Sequence, residues 1–174
     1  TELMLRVFGP DYRWILAVSD SIGNLLKARM DRSDRIVVIP NPVDLQEFTP
    51  GTMETLGDRK RERTIGTVAR LSPEKGLNLF IETAVQLVAR GFQGGFRIVG
   101  DGPLRGELEA TLAERGLADR VSLVGSSTAV VEHLRQFDVF LFTSETEAFG
   151  RTILESIACG VPVVGPLPIR GGAR

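Results

Sequence analysis

Short runs of apolar residues alternate along most of this chain with longer segments in which apolar residues recur at helical spacing. The runs have the length of strands, and the run at residues 139–142 is continuous, which is typical of a strand buried on both faces of a parallel sheet. They fall at residues 65–69, 96–99, 121–124, 139–142 and 161–164. Because short connections join them to the helical segments, the pattern predicts an α/β fold. We expect a doubly wound parallel sheet with right-handed crossovers, which binds ligands at the carboxyl ends of its strands.

A smaller group of elements precedes this alternation. Residues 14–18 and 36–39 are predicted strands, and Ser19 is the predicted cap of the helix between them. Residues 1–8 are predicted to be the end of a helix that stops at a Gly-Pro pair. The length of the chain allows one domain together with a piece of another, to which these elements could belong.

A polar stretch separates the two groups of elements. It follows a proline-marked turn and has no hydrophobic periodicity. We therefore predict that residues 1–44 close a first domain, that 45–63 link the domains and that 64–174 form a second domain. The chain starts at Thr1 within an apolar-periodic segment, so we expect it to be an excised fragment whose second domain is truncated at its C-terminus.

Composition excludes several classes of function. The net charge is −1, with 43% hydrophobic and 25% charged residues, which gives no reason to propose a nucleic-acid partner or an anionic membrane surface. With a single cysteine, Cys159, the chain cannot form an internal disulfide, and we expect this residue in the core. The sequence contains no cluster of Cys and His residues that would bind zinc. No apolar run is long enough to span a bilayer, so a cytoplasmic location is the default expectation.

The stretch from 143 to 164 carries the main candidate chemistry. It places a loop and a helix between two predicted strands, with Phe149-Gly150 at the turn where the helix begins and Gly160 as its predicted end. The first backbone N–H groups of a helix are unpaired and attract anions, here near Gly150, Arg151 and Thr152. Glu147 and Glu155 add acceptors for sugar hydroxyls beside them, so the stretch predicts an anion cradle next to a sugar site.

The sequence Glu-Ala-Phe-Gly-Arg-Thr-Ile-Leu-Glu-Ser-Ile-Ala-Cys-Gly-Val-Pro-Val-Val, in which seven residues separate Glu147 from Glu155, resembles a family signature. It is similar to that of retaining glycosyltransferases of family 4, the group 1 glycosyl transferases. The resemblance implies a Rossmann-like, nucleotide-sugar-binding C-terminal domain of the GT-B fold. It also implies that Glu155 binds the ribose of the donor and that Glu147 lies against the transferred sugar.

Two cations are predicted to bind the donor diphosphate. The chain has no Asp-x-Asp pair that would recruit a divalent metal, so we expect metal-independent transfer in which protein cations neutralise the leaving group. In the family that the chain resembles, an Arg and a Lys five residues apart hold the diphosphate, and Arg70 and Lys75 match them. The alternative is that Lys75 is a solvated surface cation and Arg70 a strand-end ion pair.

The other predicted site residues have weaker signals. In the resemblance, Gly100 and Gly102 form a glycine-rich turn near the nucleotide and Val124 lies near the base; alone, such a turn serves packing as often as binding. The alternative role of Glu155 is to form an i,i+4 ion pair with Arg151. The alternative for Glu147 is that it is an exposed carboxylate in a loop. The single His133 is expected to be a surface or partly buried structural residue.

The predicted function is transfer of a hexose from a nucleotide diphosphate sugar to an acceptor with retention of configuration. The chain is then mainly the donor-binding part, with Arg70, Lys75 and Glu147 at the reacting groups and no cofactor. The expected partners are the donor and, through another domain, a sugar, lipid or small-molecule acceptor. The alternatives are a nucleotide-sugar epimerase or glycogen phosphorylase relative of the same fold, and a non-catalytic nucleotide-binding module.

Overall fold

A computed structural model describes residues 13–30, 33–51, 62–166 and 170–171. The predicted helix at residues 1–8 lies outside the described residues. The chain divides into two compact units. The first comprises residues 1–42, 146–150 and 170–174, and the second comprises 43–145 and 151–169.

The first unit contains two pairs of parallel strands. Strand β1 (Ile15–Ala17), helix α1 (Asp20–Lys27), a 3-10 turn (Ser33–Arg35) and strand β2 (Ile36–Val38) follow one another, and β1 pairs with β2. The predicted cap is confirmed, because the Ser19 hydroxyl accepts a hydrogen bond from the Ile22 N–H at 3.3 Å. Strands β7 (Thr146–Glu147) and β9 (Arg170–Gly171) form the other pair, which the sequence pattern does not predict.

The second unit is built on a five-stranded parallel sheet. The strands are β3 (Thr64–Val68), β4 (Gly95–Val99), β5 (Val121–Gly125), β6 (Val139–Leu141) and β8 (Val163–Val164). Their order in the sheet is β5-β4-β3-β6-β8, in which two connections run outward from β3 in one direction before the chain returns to the other side of β3. This reversal is the mark of a doubly wound sheet, so the predicted fold class is confirmed.

Helices cover both faces of this sheet over separate hydrophobic cores. Neighbouring residues of β6 point to opposite faces, so Leu141 joins one core while Phe140 and Phe142 join the other. The second core also contains Cys159, as predicted. The helices are α2 (Leu77–Ala89) and α3 (Arg105–Glu114) over the first core, and α4 (Val130–Arg135) and α5 (Arg151–Ala158) over the second.

Part of the predicted linker 45–63 packs into the second unit. Phe48 is buried in the core beneath α4 and α5. Arg135 of α4 donates hydrogen bonds to the Thr49 carbonyl oxygen at 2.9 Å and to the Thr49 hydroxyl at 2.8 Å. Residues 52–61 lie outside the described ranges, so the domain boundaries stay a prediction.

The connection from β3 to α2 differs from the sequence expectation. The pattern predicts that Ser72 caps α2 and that Lys75 lies in its first turn. Instead, Pro73–Lys75 form a separate 3-10 turn that ends at Gly76, and α2 begins at Leu77. The break arises because Gly76 adopts a left-handed φ of 59°, which a continuing helix does not allow.

Candidate donor-binding site

The carboxyl ends of β3 and β6 mark the topological switch point of the sheet. These two strands are neighbours and parallel, but the connections after them run in opposite directions. Such a reversal opens a crevice at the strand ends, where doubly wound proteins bind ligands. The loop with Arg70 and Lys75 follows β3, and Thr143–Glu145 follow β6, so both lie at this edge.

Hydrogen bonds fix the Lys75 loop to the chain after β6. The Thr143 hydroxyl donates to the Lys75 carbonyl oxygen at 2.9 Å, and the Glu145 N–H donates to the Glu74 carbonyl oxygen at 3.1 Å. Thr143 is buried, so its hydroxyl needs this partner. The position of Lys75 is therefore set by the end of the neighbouring strand.

Glu74 lies in the same loop as Arg70 and Lys75, the two cations predicted to bind the diphosphate. The Ser72 hydroxyl donates a hydrogen bond to its carboxylate at 2.6 Å, and this bond lowers the pKa of Glu74. A backbone N–H and the charges of Lys75 and Arg70 lower that pKa further, although desolvation opposes them. The charges of Arg70 and Lys75 therefore both act on the Glu74 carboxylate.

The predicted glycine turn lies against the same loop. Gly100 has a φ of 135°, and its N–H donates to the Gly125 carbonyl oxygen at 2.8 Å. A Cβ at Gly102 would approach the Leu71 backbone oxygen to 2.5 Å. The Leu71 N–H also bonds to the Asp101 carbonyl oxygen at 3.0 Å. The loops after β3 and β4 are thus in backbone contact, and both glycines are required for it.

Val124 precedes Gly125 at the end of β5, next to the glycine turn. It occupies the penultimate position of β5, with its side chain 38% exposed. The bond from Gly100 to Gly125 joins the end of β5 to the glycine turn. Val124 therefore lies at the carboxyl end of β5, and its proximity to the base stays a prediction.

Helix α5 carries the predicted ribose ligand Glu155. Its carboxylate is buried and accepts a hydrogen bond from Arg151 Nε at Oε1, with a separation of 2.6 Å. The i,i+4 ion pair considered as the alternative role of Glu155 is thus formed. Thr152 is in the first turn, and its carbonyl oxygen accepts a hydrogen bond from the Ser156 hydroxyl at 2.7 Å. The helix begins at Arg151, directly after Gly150 with a φ of 76°.

The remaining predicted site residues belong to the first unit. Glu147 is the second residue of β7 and pairs through its backbone with Gly171. Phe149 is half-buried, and Gly150 is buried. The functional roles of these three residues stay predictions.

A cavity of about 260 Å³ lies on the α2 and α3 side of the sheet edge. Residues from the first turns of both helices line it, together with Thr143 and the carboxylates of Glu107 and Glu145. Two carboxylates repel a diphosphate, so the cavity is unsuited to the donor's charged part. None of the predicted binding residues lines this cavity.

Three residues that shape the site are not among those predicted from the sequence. Ser72 and Thr143 are buried hydroxyls that bond to Glu74 and to the Lys75 backbone, and Gly76 permits the close approach of their loops. A signal exists for one of them. Thr143 directly follows the apolar run of β6, and a polar residue at the end of a buried strand often faces a ligand edge.

Among the residues that the structure describes, no three His, Cys, Asp or Glu side chains come together as potential metal ligands. No helix within the described ranges is long and apolar enough to cross a bilayer.

Residues 51–166 match the family described as glycosyl transferases group 1. The 2-deoxystreptamine glucosyltransferase of Streptomyces kanamyceticus is 30% identical over 159 residues, which are 86% of this chain and 41% of that protein. One subunit of the human phosphatidylinositol N-acetylglucosaminyltransferase is 35% identical over 172 residues, covering 94% of this chain and 34% of that protein.

Among solved structures, that of Anabaena HepE in complex with UDP and glucose has a TM-score of 0.84 and 24% identity. The similarity covers 95% of this chain and 48% of HepE. At this identity, the similarity shows that this chain and the matching part of HepE share a fold. The chain belongs to the group 1 glycosyl transferase family, and it spans less than half the length of these relatives.

Proposed function

We propose that this chain is the nucleotide-sugar-binding part of a retaining, metal-independent glycosyltransferase. Arg70 and Lys75 bind the donor diphosphate, and Glu155 binds the ribose. The observation that carries the proposal is the hydrogen bond from Thr143 to the Lys75 carbonyl oxygen, at 2.9 Å. It holds a cation-bearing loop at the switch point of the sheet, where ligands of doubly wound proteins bind.

The reaction explains why fixed cations are needed there. When the glycosidic bond to the donor phosphate breaks, negative charge develops on the diphosphate. Groups that are already oriented stabilise this charge without reorganising during the reaction. Arg70 and Lys75 belong to the loop that Thr143 and Glu145 hold by hydrogen bonds to its backbone. In this proposal, the fixed loop presents both cations to the diphosphate before it departs.

Backbone groups and Glu155 supply the rest of the nucleotide contacts in this proposal. The unpaired N–H groups at the start of α5, near Arg151 and Thr152, suit the diphosphate. In this proposal, the turn with Gly100 and Gly102 lies near the nucleotide, while Gly102 also packs against the Leu71 backbone. A buried carboxylate such as Glu155 accepts well from two vicinal hydroxyls, because few water molecules compete with them.

The comparisons support a sugar nucleotide as the ligand. Two relatives are named as a glucosyltransferase and an N-acetylglucosaminyltransferase, and the HepE structure contains UDP and glucose. UDP and UDP-glucose are therefore the first probes for this chain. The acceptor, the retention of configuration and the contact of Glu147 with the transferred sugar rest on the family resemblance.

The isolated chain is expected to bind donor weakly and to show little or no transfer. Its relatives are more than twice its length, so the acceptor contacts belong to the rest of the polypeptide in this proposal. Retention would be checked on the full-length polypeptide, by NMR assignment of the product anomer.

The proposal is tested by titrating UDP and UDP-glucose into the chain in the presence of EDTA, with binding followed by NMR. Lys75→Ala should weaken UDP binding by about tenfold or more, because a charge-assisted contact to the diphosphate is lost. Glu155→Ala should also weaken UDP binding, because the hydrogen bonds with the ribose hydroxyls are lost. Lys27→Ala is the matched control, since Lys27 lies in the last turn of α1.

Two results would contradict the proposal. One is a chain that binds neither probe at millimolar concentration, and the other is unchanged UDP affinity in both Lys75→Ala and Glu155→Ala. Circular dichroism of each variant shows whether a loss of affinity reflects unfolding. If affinity returns only when a divalent cation replaces EDTA, metal independence is wrong.

A further inference from the structure

The ion pair between Arg151 and Glu155 is unequally exposed. The side chain of Glu155 is 5% exposed, whereas that of Arg151 is 64% exposed. The pair between Arg105 and Glu109 on α3 has the same i,i+4 spacing, but its side chains are 37% and 55% exposed. A buried carboxylate without a partner is costly, and Arg151 supplies a hydrogen-bonded partner of opposite charge for Glu155.

Helix stability does not account for this arrangement. Arg151 is the first residue of α5, where the positive end of the helix dipole disfavours a cation. The order of the two residues, with the basic one N-terminal to the acidic one, is also the weaker of the two i,i+4 arrangements. The placement of Arg151 therefore indicates a role that concerns the Glu155 carboxylate itself.

The charge of Arg151 is already balanced within the second unit. A hydrogen bond from Arg151 to Glu155, with the charge of Glu155, raises the pKa of the Arg151 guanidinium, and the charge of Glu47 raises it further. A guanidinium whose charge acts on two carboxylates attracts a diphosphate less than a guanidinium without such neighbours. Its side chain is thus better suited to holding Glu155 than to binding phosphate.

We propose that the Arg151 side chain is a positioning residue, which holds Oε1 of Glu155 so that the carboxylate faces the ribose hydroxyls of the donor. This inference rests on the proposed function. Within the described part of the chain, the Arg151 hydrogen bond is the one that this carboxylate accepts. A carboxylate has about four acceptor positions, so this bond leaves capacity for a vicinal diol.

The test compares two ligands that differ only at the ribose. UDP carries both hydroxyls, whereas 2′,3′-dideoxyuridine diphosphate lacks them. We expect Arg151→Ala to weaken UDP binding by about tenfold and to change the affinity for the dideoxy ligand by less than about twofold. Arg151→Lys should restore part of the UDP affinity, because an ammonium group can still donate to Oε1.

A double-mutant cycle separates positioning from direct binding. If Arg151 acts through Glu155, the double variant Arg151→Ala, Glu155→Ala binds UDP no more weakly than Glu155→Ala alone. Arg115→Ala is the matched control. It removes an exposed ion pair with Glu82, at 3.7 Å, and should leave the affinities for both ligands unchanged.

The outcomes distinguish this inference from the proposed function. The positioning role is wrong if Arg151→Ala weakens the binding of both ligands equally, or if the effects of the two substitutions on UDP affinity are additive. The proposed donor site stands in either case. If Glu155→Ala leaves UDP binding unchanged, the ribose role of Glu155 fails, and the positioning role fails with it. Should Arg151→Ala not fold, Arg151→Gln keeps the side-chain volume and is judged by the same two ligands.

Discussion

Gly76 and Thr143 are in such close contact that a Cβ at position 76 would overlap the Thr143 carbonyl oxygen. Gly76 also has a left-handed φ of 59°, which L side chains disfavour. Two independent reasons therefore exclude a side chain at this position. The contact allows the loop that carries Lys75 to pack onto the end of β6.

Gly76→Ala is expected to lower the free energy of unfolding by more than about 2 kcal/mol, because backbone strain and steric overlap add. Gly116→Ala is the control, since Gly116 has a φ of 65° and open space around its Cβ position. The control should lose only the strain contribution, about 1–2 kcal/mol. Urea denaturation measures both variants, and equal losses would show that the contact with Thr143 is unimportant.

Phe48→Ala is expected to destabilise the second unit by about 3–5 kcal/mol, as for other large aromatic side chains removed from a core. Phe48 is only 7% exposed and packs with Phe137 and Phe140, although it lies in a segment predicted to be a linker. The control Leu45→Ala alters a side chain that is 69% exposed and should change stability by less than about 0.5 kcal/mol. Equal midpoints for the two variants in urea would contradict a structural role for this segment.

The strands and helices of the second unit could be predicted because each has a strong local signal. Short runs rich in apolar residues marked the buried strands, and Gly160 marked the end of α5. There the Gly160 N–H bonds to the Ile157 carbonyl oxygen, and Gly160 has a φ of 76°. The crossover rules then predicted a doubly wound sheet with its ligand edge at the carboxyl ends of the strands.

The features that were missed depend on contacts between residues far apart in the chain. Strand β7 has two residues, which are too few to show periodicity, and it pairs with residues 170–171. The burial of Phe48 depends on Arg135 and on the core beneath α4, which are distant in sequence. The 3-10 turn before α2 depends on the contact of Gly76 with Thr143. No local pattern contains these relationships.

Gly66→Ala is expected to destabilise the sheet by about 1–3 kcal/mol through overpacking. The Phe137 ring packs directly over the Gly66 backbone, so that a Cβ at Gly66 would overlap it. Gly95→Ala is a matched control in the neighbouring strand, because the nearest atom to its Cβ position is 3.9 Å away. It should be neutral or slightly stabilising.

Trimming Phe137 tests whether the ring is the cause of this effect. The loss caused by Gly66→Ala should be smaller in a Phe137→Leu background than in the wild type, as urea denaturation of the four proteins would show. An equal loss in both backgrounds would assign the effect to the strand backbone instead.

The single histidine is expected to make stability depend on pH. Burial lowers the pKa of His133, and the charge of Arg97 lowers it further, while Glu132 opposes both. The His133 Nε2 lies 3.2 Å from the Ser127 hydroxyl, and Nδ1 is buried without a hydrogen-bond partner in the described part of the chain. The unfolded chain, with a pKa near 6.5, therefore binds the proton more readily than the folded chain.

The sign of the pH effect follows from this difference. The contribution of neutral His133 to stability is fully present above the unfolded pKa and is lost as the pH falls through the lowered folded pKa. His133→Gln should remove this contribution, so that its free energy of unfolding falls less steeply than that of the wild type between about pH 7.5 and 5.5. Urea denaturation across this range measures both slopes. Identical slopes would mean that His133 titrates alike in the folded and unfolded chains.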